Sequence, residues 1–164
     1  MPERSVTYAL IFTFKELITS NRFLSSVTGS GRALMVREGD EGWWLYGVEP
    51  GGLAASGDTP QEAHRKFTDA LKGILLDLAD ESASFADFDR RVQAFFHEVD
   101  ETETGNWTRA IEALRSGELR LEDPFSALPR QPAESPRFVV VQEIERKLFP
   151  PVESRNDFAL PAAA

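Results

Sequence analysis

The stretch GDTPQEAHRKF, residues 57–67, marks the point where the hydrophobic residues change from a period of two to a period of 3.6. Its polar residues fit a capping box: Thr59 accepts a hydrogen bond from the N–H of Glu62, and the Glu62 carboxylate reaches back to the N–H of Thr59. Pro60 falls at the first helical position, where its missing N–H would have had no partner. A phosphate-binding loop would need the pattern G-x-x-x-x-G-K-[ST], and Asp58 and Glu62 would repel a phosphate. The stretch therefore predicts the start of a helix and no ligand site.

Three amphipathic helices are predicted from this point onward. The first is about five turns long, and its apolar stripe is Ala63, Phe67, Ala70, Leu71, Ile74, Leu75 and Leu78. The second has the apolar residues Phe85, Phe88, Val92, Phe95, Phe96 and Val99. The third is shorter and carries Trp107, Ala110, Ile111 and Leu114, with Gly117 as the residue that ends it.

The segment before residue 57 has the features of an antiparallel sheet. RALMVRE, residues 32–38, and WWLYGVE, residues 43–49, are two β-prone runs joined by GDEG, which predicts a hairpin. PGG, residues 50–52, turns the chain again, and LAAS, residues 53–56, can form a short third strand. Earlier still, SVTYALIFTF, residues 5–14, alternates like a strand, although a helix also fits. SVTGSGR, residues 26–32, has two glycines and is interpreted as a turn or the entrance to a strand.

These elements predict an α+β fold: a small antiparallel sheet packed by one long helix, followed by two further amphipathic helices and a late strand. Residues 1–123 are predicted to form a single domain. Residues 124–164 are interpreted as a Pro-rich extended segment, because four prolines fall between Asp123 and Arg137. Within that segment RFVVVQEI, residues 137–144, predicts the late strand, and a loose tail is expected at the end.

Charge and composition limit the classes of function. The 164 residues carry a formal net charge of −9 with a pI near 4.8, so the average field repels nucleic acid and attracts a basic protein. A net negative charge that serves only to keep the protein soluble is the alternative explanation. The absence of cysteine excludes a disulfide framework and a thiolate metal site. Because no apolar run is long enough to span a membrane and no secretory cleavage site is evident, a cytoplasmic protein is expected.

Three motif outlines are incomplete. HEVDE, residues 97–101, begins like a zinc-protease motif, but Glu101 stands where a second histidine is required. DETETGNWTRAIE, residues 100–112, begins like a calcium loop, but Ile111 stands where a bidentate glutamate is needed, so it is interpreted as an acidic loop that caps the third helix. GSG, residues 29–31, lacks the G-x-S-x-G pattern of a nucleophile elbow. No catalytic, cofactor-binding or metal-binding residue is therefore assigned, and we expect a protein that is not an enzyme.

The aromatic residues Trp43, Trp44 and Tyr46 are the candidate partner-binding residues. Side chains alternate along a strand, so Trp43 and Leu45 point to one face and Trp44 and Tyr46 to the other. One set should face the first helix. We expect both sets to be core, and an exposed set would instead have the composition of an interface hot spot.

The run RALMVREGDEGWWLYGVEPGGLAASGDTPQEAHRKFTDALKGILLDLA, residues 32–79, resembles the HicB-like family of bacterial antitoxins. The resemblance rests on Gly42, Trp43, Pro50, Gly51, Gly57, Asp58, Thr59, Glu62 and Ala63. It implies a β-β-β-α core at 32–80, a partly ribonuclease-H-like or double-stranded-RNA-binding-like fold, and a protein that binds and blocks a small basic ribonuclease toxin. The C-terminal half does not match the DNA-binding module that such antitoxins usually carry.

Three functional hypotheses follow. The first is a non-catalytic binding module, a HicB-like antitoxin or an orphan relative, that sequesters a basic protein partner without direct contact to nucleic acid or membrane. The second is an accessory subunit of a bacterial complex that docks through its Pro-rich segment, residues 124–161. The third is a metal-dependent enzyme using acidic residues, for which the hairpin strands supply only Glu38 and Glu49. The oligomeric state stays open, with a homo-oligomer among the alternatives.

Overall fold

A computed structural model describes residues 6–40, 42–120, 125 and 138–144. In chain order the elements are β1 (Val6–Thr19), β2 (Leu24–Arg37), β3 (Trp43–Glu49), β4 (Gly51–Gly57), α1 (Pro60–Glu81), α2 (Phe85–Phe96), α3 (Glu101–Ser116) and β5 (Val139–Ile144). The strands form one antiparallel sheet in the order β1-β2-β3-β4, and β5 pairs with β2. The predicted α+β class, the hairpin, the three helices and the late strand are thus confirmed.

Strand β2 organises the sheet because it has partners along both edges. Its whole length pairs with β1, from Val6 opposite Arg37 to Thr19 opposite Leu24. Its other edge is shared end to end, since residues 32–37 pair with β3 and residues 24–29 pair with β5. The helical alternative for the first segment is therefore wrong, and the strand there runs five residues beyond the predicted Phe14.

Residues 26–32 lie inside β2 and form no turn. The two glycines that suggested a turn lie opposite phenylalanines of β1, Gly29 opposite Phe14 and Gly31 opposite Phe12. A Cβ atom on Gly31 would lie 2.5 Å from Cζ of Phe12 and 2.4 Å from the carbonyl oxygen of Glu49. These glycines therefore make room for aromatic rings that cross the neighbouring strand.

The two faces of the sheet are covered differently. One face, called the α1 face, carries Phe12, Phe14 and Ile18 of β1 and packs against α1 and α2 in the main core. Phe12 meets Phe67 of α1 edge to face at 5.2 Å, and Phe14 stacks on Phe96 of α2 at 4.7 Å. The opposite face, called the α3 face, forms a smaller core with α3, in which Leu34, Val48, Trp107 and Ala110 are buried.

Helix α1 begins as the capping box predicts, with one difference. The N–H of Glu62 donates to Oγ1 of Thr59 at 3.1 Å, and Pro60 is the first helical residue. The carboxylate of Glu62 accepts from the N–H of Asp58 at 3.2 Å, one residue earlier than predicted. The helix is 22 residues long, about one turn more than expected, and Ser82 ends it.

The other two helices correct two boundaries. Helix α2 ends at Phe96, with His97 as its C-cap, so Val99 lies beyond the helix and is 41% exposed, not part of the apolar stripe. Helix α3 begins at Glu101, because Oδ1 of Asp100 accepts from the N–H of Glu103 at 3.0 Å. The acidic residues after Asp100 are therefore the first turn of α3 and not a loop. Gly117, with φ of 79°, ends the helix as predicted.

The predicted Pro-rich segment and loose tail lie outside the described residues, apart from Phe125 and the strand β5. Phe125 is buried and stacks on Tyr8 with ring centroids 4.3 Å apart. Strand β5 continues the same sheet as β1 to β4. Most of residues 124–161, the segment of the docking hypothesis, therefore lies outside the described residues.

Candidate protein-binding site

The sheet separates the three candidate aromatic residues, as the alternation of β3 predicts. Trp43 lies on the α1 face, half-buried against Phe125, with ring centroids 5.6 Å apart. Trp44 and Tyr46 lie together on the α3 face, stacked with centroids 5.8 Å apart and an interplanar angle of 10°. Both are half-buried, so they present a flat aromatic surface that is partly open to solvent. Trp43 is therefore a packing residue, and the Trp44–Tyr46 pair is the candidate contact surface.

Two carboxylates lie near the phenol of Tyr46. The hydroxyl donates to Oε1 of Glu38 at 3.3 Å, across the hairpin from β3 to the end of β2. Burial raises the pKa of Tyr46 above its ordinary value, and the negative charges of Glu38 and of Glu103 add to this, because a phenolate beside carboxylates is disfavoured. The two carboxylates therefore disfavour a further negative charge at this position.

Helix α3 supplies the opposite wall. Trp107 and Ala110 are buried against Leu34 and Val48, which fixes the rotation of the helix. That rotation leaves three polar side chains on a neighbouring stripe, spaced three residues apart along the sequence: Glu103, Asn106 and Arg109. The amide of Asn106 donates to Oε2 of Glu103 at 3.4 Å, and the guanidinium of Arg109 donates to the amide oxygen of Asn106. The wall is thus a connected polar row with a carboxylate at its N-terminal end.

A groove of about 660 Å³ lies between these walls. Its apolar lining includes Leu34 and Val36 of β2. Its charged lining is Glu38, Glu103, Glu118 and Arg109, which is three carboxylates and one cation. The groove therefore combines an apolar surface with an acidic lining, beside a half-buried aromatic pair.

A buried ion pair holds α3 against the sheet next to the groove. Nη2 of Arg32 in β2 lies 3.1 Å from Oε2 of Glu49 in β3, and both side chains are nearly buried. The guanidinium carbon of Arg32 lies 5.6 Å from the ring centre of Trp107 in α3, over its face. Strand β2, strand β3 and helix α3 are therefore joined at one charged centre.

The connection between α2 and α3 is tied to the turn between β3 and β4. The N–H of Gly51 donates to the carbonyl of Glu98 at 2.8 Å, and the N–H of Asp100 donates to the carbonyl of Val48 at 3.0 Å. A Cβ atom on Gly51 would lie 2.8 Å from the nitrogen of Asp100, so this close approach needs a glycine. Gly51, predicted from the PGG sequence as a turn residue, thus also helps to position α3.

The structure does not assemble the carboxylates of the metal-enzyme hypothesis. Glu38 follows the end of β2 and contacts Tyr46, whereas Glu49 ends β3 and pairs with Arg32. Across residues 6–40, 42–120, 125 and 138–144, no group of three or more His, Asp or Glu residues is placed to hold a metal ion. Helices in this described part are too short or too polar to cross a bilayer. Glu38 lines the groove and Glu49 does not, so these two carboxylates do not converge there.

The chain matches no protein-family model, no curated protein and no solved structure in the three comparisons made. Its functional assignment therefore depends on the residues and the geometry described above.

Sequence reasoning found half of this site. It identified Trp44 and Tyr46, because the alternation of a strand is a local property. It missed Glu38 as the partner of Tyr46, and it assigned the acidic run around Glu103 to helix capping alone. The spacing of Glu103, Asn106 and Arg109 was the available signal, since residues three apart share one face of a helix.

Proposed function

We propose that the chain is a non-catalytic protein-binding module, a HicB-like antitoxin or an orphan relative, that sequesters a basic protein partner such as a small ribonuclease toxin. The observation that carries the proposal is the groove on the α3 face. It brings the carboxylates Glu38 and Glu103 together with Tyr46, whose ring stacks on Trp44.

The groove has the chemistry to accept an arginine or lysine side chain. The methylene stem of such a residue can cover the half-buried Val36, while its charged head reaches Glu38 or Glu103. A planar guanidinium can also stack on the face of Trp44 or Tyr46, which favours arginine over lysine. The groove volume of about 660 Å³ lies in the range of small-ligand sites, roughly 300–1,000 Å³, so it fits side chains and not a folded domain.

The charge of the whole chain supports the same class of partner. A net charge of −9 attracts a basic protein from a distance and raises its rate of association. The groove then supplies contacts that a general acidic surface does not have, because its aromatic and apolar atoms exclude water around the incoming charge. A basic toxin would be recognised by both effects.

The test begins with the gene neighbouring this one, if it encodes a short basic protein. We expect the two proteins to co-purify and the present chain to relieve the toxicity of its neighbour in co-expression. A variant with Glu38→Lys and Glu103→Lys should bind the partner at least about tenfold more weakly by calorimetry. Two side chains that attract a basic group would then repel it. The matched control is Asp69→Lys with Glu112→Lys, which makes the same change in net charge at exposed residues of α1 and α3 outside the groove.

Equal losses in the two double variants would show attraction by net charge alone and would refute a specific groove. A second measurement needs no partner: N-acetyl-arginine amide, titrated into the protein, should shift the NMR signal of the Trp44 indole. No shift at Trp44, with shifts scattered over other acidic surfaces, would likewise contradict the proposal.

A further inference from the structure

The outer edge of β1 carries no strand among the residues that the structure describes. This edge strand has 14 residues, whereas β4 and β5, each of which also has one edge without a partner strand in the described part of the chain, have seven and six. A typical strand has about five or six residues. A row of backbone N–H and C=O groups of this length is a ready template for another strand.

The strand also lacks most features that prevent such pairing. Its register with β2 is continuous over all 14 pairs, so no bulge bends the edge away. The sequence VTYALIFTFKELIT contains neither proline nor glycine. Its charged residues are Lys15 and Glu16, whose charges cancel, and Glu16 is already held by Lys72 of α1 at 3.5 Å. Natural edge strands are more often protected by charge, proline or a bulge.

We propose that the edge of β1 from Ala9 to Leu17 pairs antiparallel with the same edge of a second copy of this chain, about a two-fold axis at Thr13. The two five-stranded sheets then become one sheet of ten strands. A closed two-fold contact of this kind uses one surface patch twice and leaves no further edge of β1 to pair.

The residues that meet across this axis are compatible. On the α3 face, Thr13 lies opposite Thr13 of the other copy, and Lys15 lies opposite Ile11. On the α1 face, Phe12 lies opposite Phe14, which gives two aromatic cross-strand pairs. Shifting the axis to Lys15 or to Glu16 would place like charges directly opposite each other, which is destabilising.

A second copy fits this edge better than an extended peptide does. Phe12 and Phe14 are buried in the core of each copy, so the strand is already held in the conformation that pairing requires. Two preformed strands lose little conformational freedom on pairing, whereas a disordered peptide must be ordered residue by residue. The exposed Thr13 side chain leaves the axis free of a bulky group.

The test uses the absence of cysteine from the chain. In the full-length protein, Thr13→Cys should form a disulfide-linked dimer under mild oxidation. Thr108→Cys, an exposed position on α3, should form it at least about tenfold more slowly, because random collision lacks the effective concentration of a preformed pair. Analytical ultracentrifugation should show a dimer for the unmodified chain.

A pair of edge variants gives the second arm. Thr13→Lys places two like charges at the axis and should weaken the dimer by about fivefold to tenfold, while Thr13→Val should leave the dissociation constant unchanged. A monomer at all concentrations would overturn the inference. So would a dimer in which Thr13→Cys and Thr108→Cys crosslink at equal rates, since that dimer would use another surface. Neither result bears on the groove, because Thr13 and Thr108 are not among the residues that line it.

Discussion

Replacing Arg32 by methionine should lower the free energy of unfolding by about 3 kcal/mol. Nη2 of Arg32 lies 3.1 Å from Oε2 of Glu49, and the two side chains are 10% and 13% exposed. Methionine keeps an apolar contact with Trp107 but leaves the Glu49 carboxylate without this charge. Removing one partner of a buried pair costs about 3–5 kcal/mol, and we take the lower end because water still reaches both groups.

The assay is urea unfolding followed by tryptophan fluorescence, with thermal unfolding as a second measurement. For a domain of this size about 3 kcal/mol corresponds to a fall in Tm of roughly 6–12 °C. The double variant Arg32→Met with Glu49→Gln should recover part of the loss, because no charge then stays buried. Arg90→Met is the control, since the Arg90 side chain is 77% exposed and its contact with Asp87 lies at the surface.

Two results would refute this reasoning. A loss below about 1 kcal/mol for Arg32→Met would mean that the pair is worth no more than a surface ion pair. Strict additivity of the two single changes in the double variant would mean that Arg32 and Glu49 do not stabilise each other. In either case the ion pair would not be what holds α3 beside the groove.

The other perturbations test the strand glycine, the helix cap and the tyrosine of the groove. Gly31→Ala should lower the free energy of unfolding by about 1–3 kcal/mol, because the added Cβ would collide with a backbone oxygen and an aromatic ring. Gly105→Ala, in open space within α3, should stabilise the protein, and equal effects of the two alanines in urea unfolding would contradict this account. Thr59→Ala removes the N-cap side chain of α1 and should lower the free energy of unfolding by about 1 kcal/mol. An unchanged midpoint in the same assay would show that the cap is dispensable. Glu38→Gln should lower the pKa of Tyr46 toward its ordinary value, as measured by NMR titration, and an unchanged pKa would mean that Glu38 does not contribute to the shift.

The parts of the fold that could be predicted are those encoded within a few residues of the chain. The hairpin, the N-cap at Thr59 and the helix end at Gly117 each depend on local backbone chemistry, and the structure contains all three. The prediction of a turn at residues 26–32 is wrong because Gly29 and Gly31 are needed to leave space for the rings of Phe14 and Phe12 on the neighbouring strand. This contact joins residues far apart in the sequence. A local pattern of Gly and Ser looks the same in a turn and in a strand that packs against aromatic rings.

The same distinction applies to the groove. Strand alternation alone separated Trp43 from Trp44 and Tyr46, and the structure agrees. The part played by Glu103 depends on how α3 lies on the sheet, which Trp107 sets by packing on Leu34. The spacing in the sequence places Glu103 on one helix face with Asn106 and Arg109, but nothing near it specifies which part of the sheet that face meets.

The two proposed surfaces should respond to salt in opposite directions. Two copies with a net charge of −9 repel each other, and the paired stretch of β1 adds one positive and one negative charge per copy. Raising the ionic strength from about 0.01 M to about 0.1 M shortens the Debye length from about 30 Å to about 10 Å. This weakens the repulsion, so the dimer should tighten in sedimentation experiments. A basic partner is attracted by the same charge, so its complex should weaken in calorimetry over the same range. If both equilibria shifted in the same direction, the two contacts could not have the charge relations assigned to β1 and to the groove.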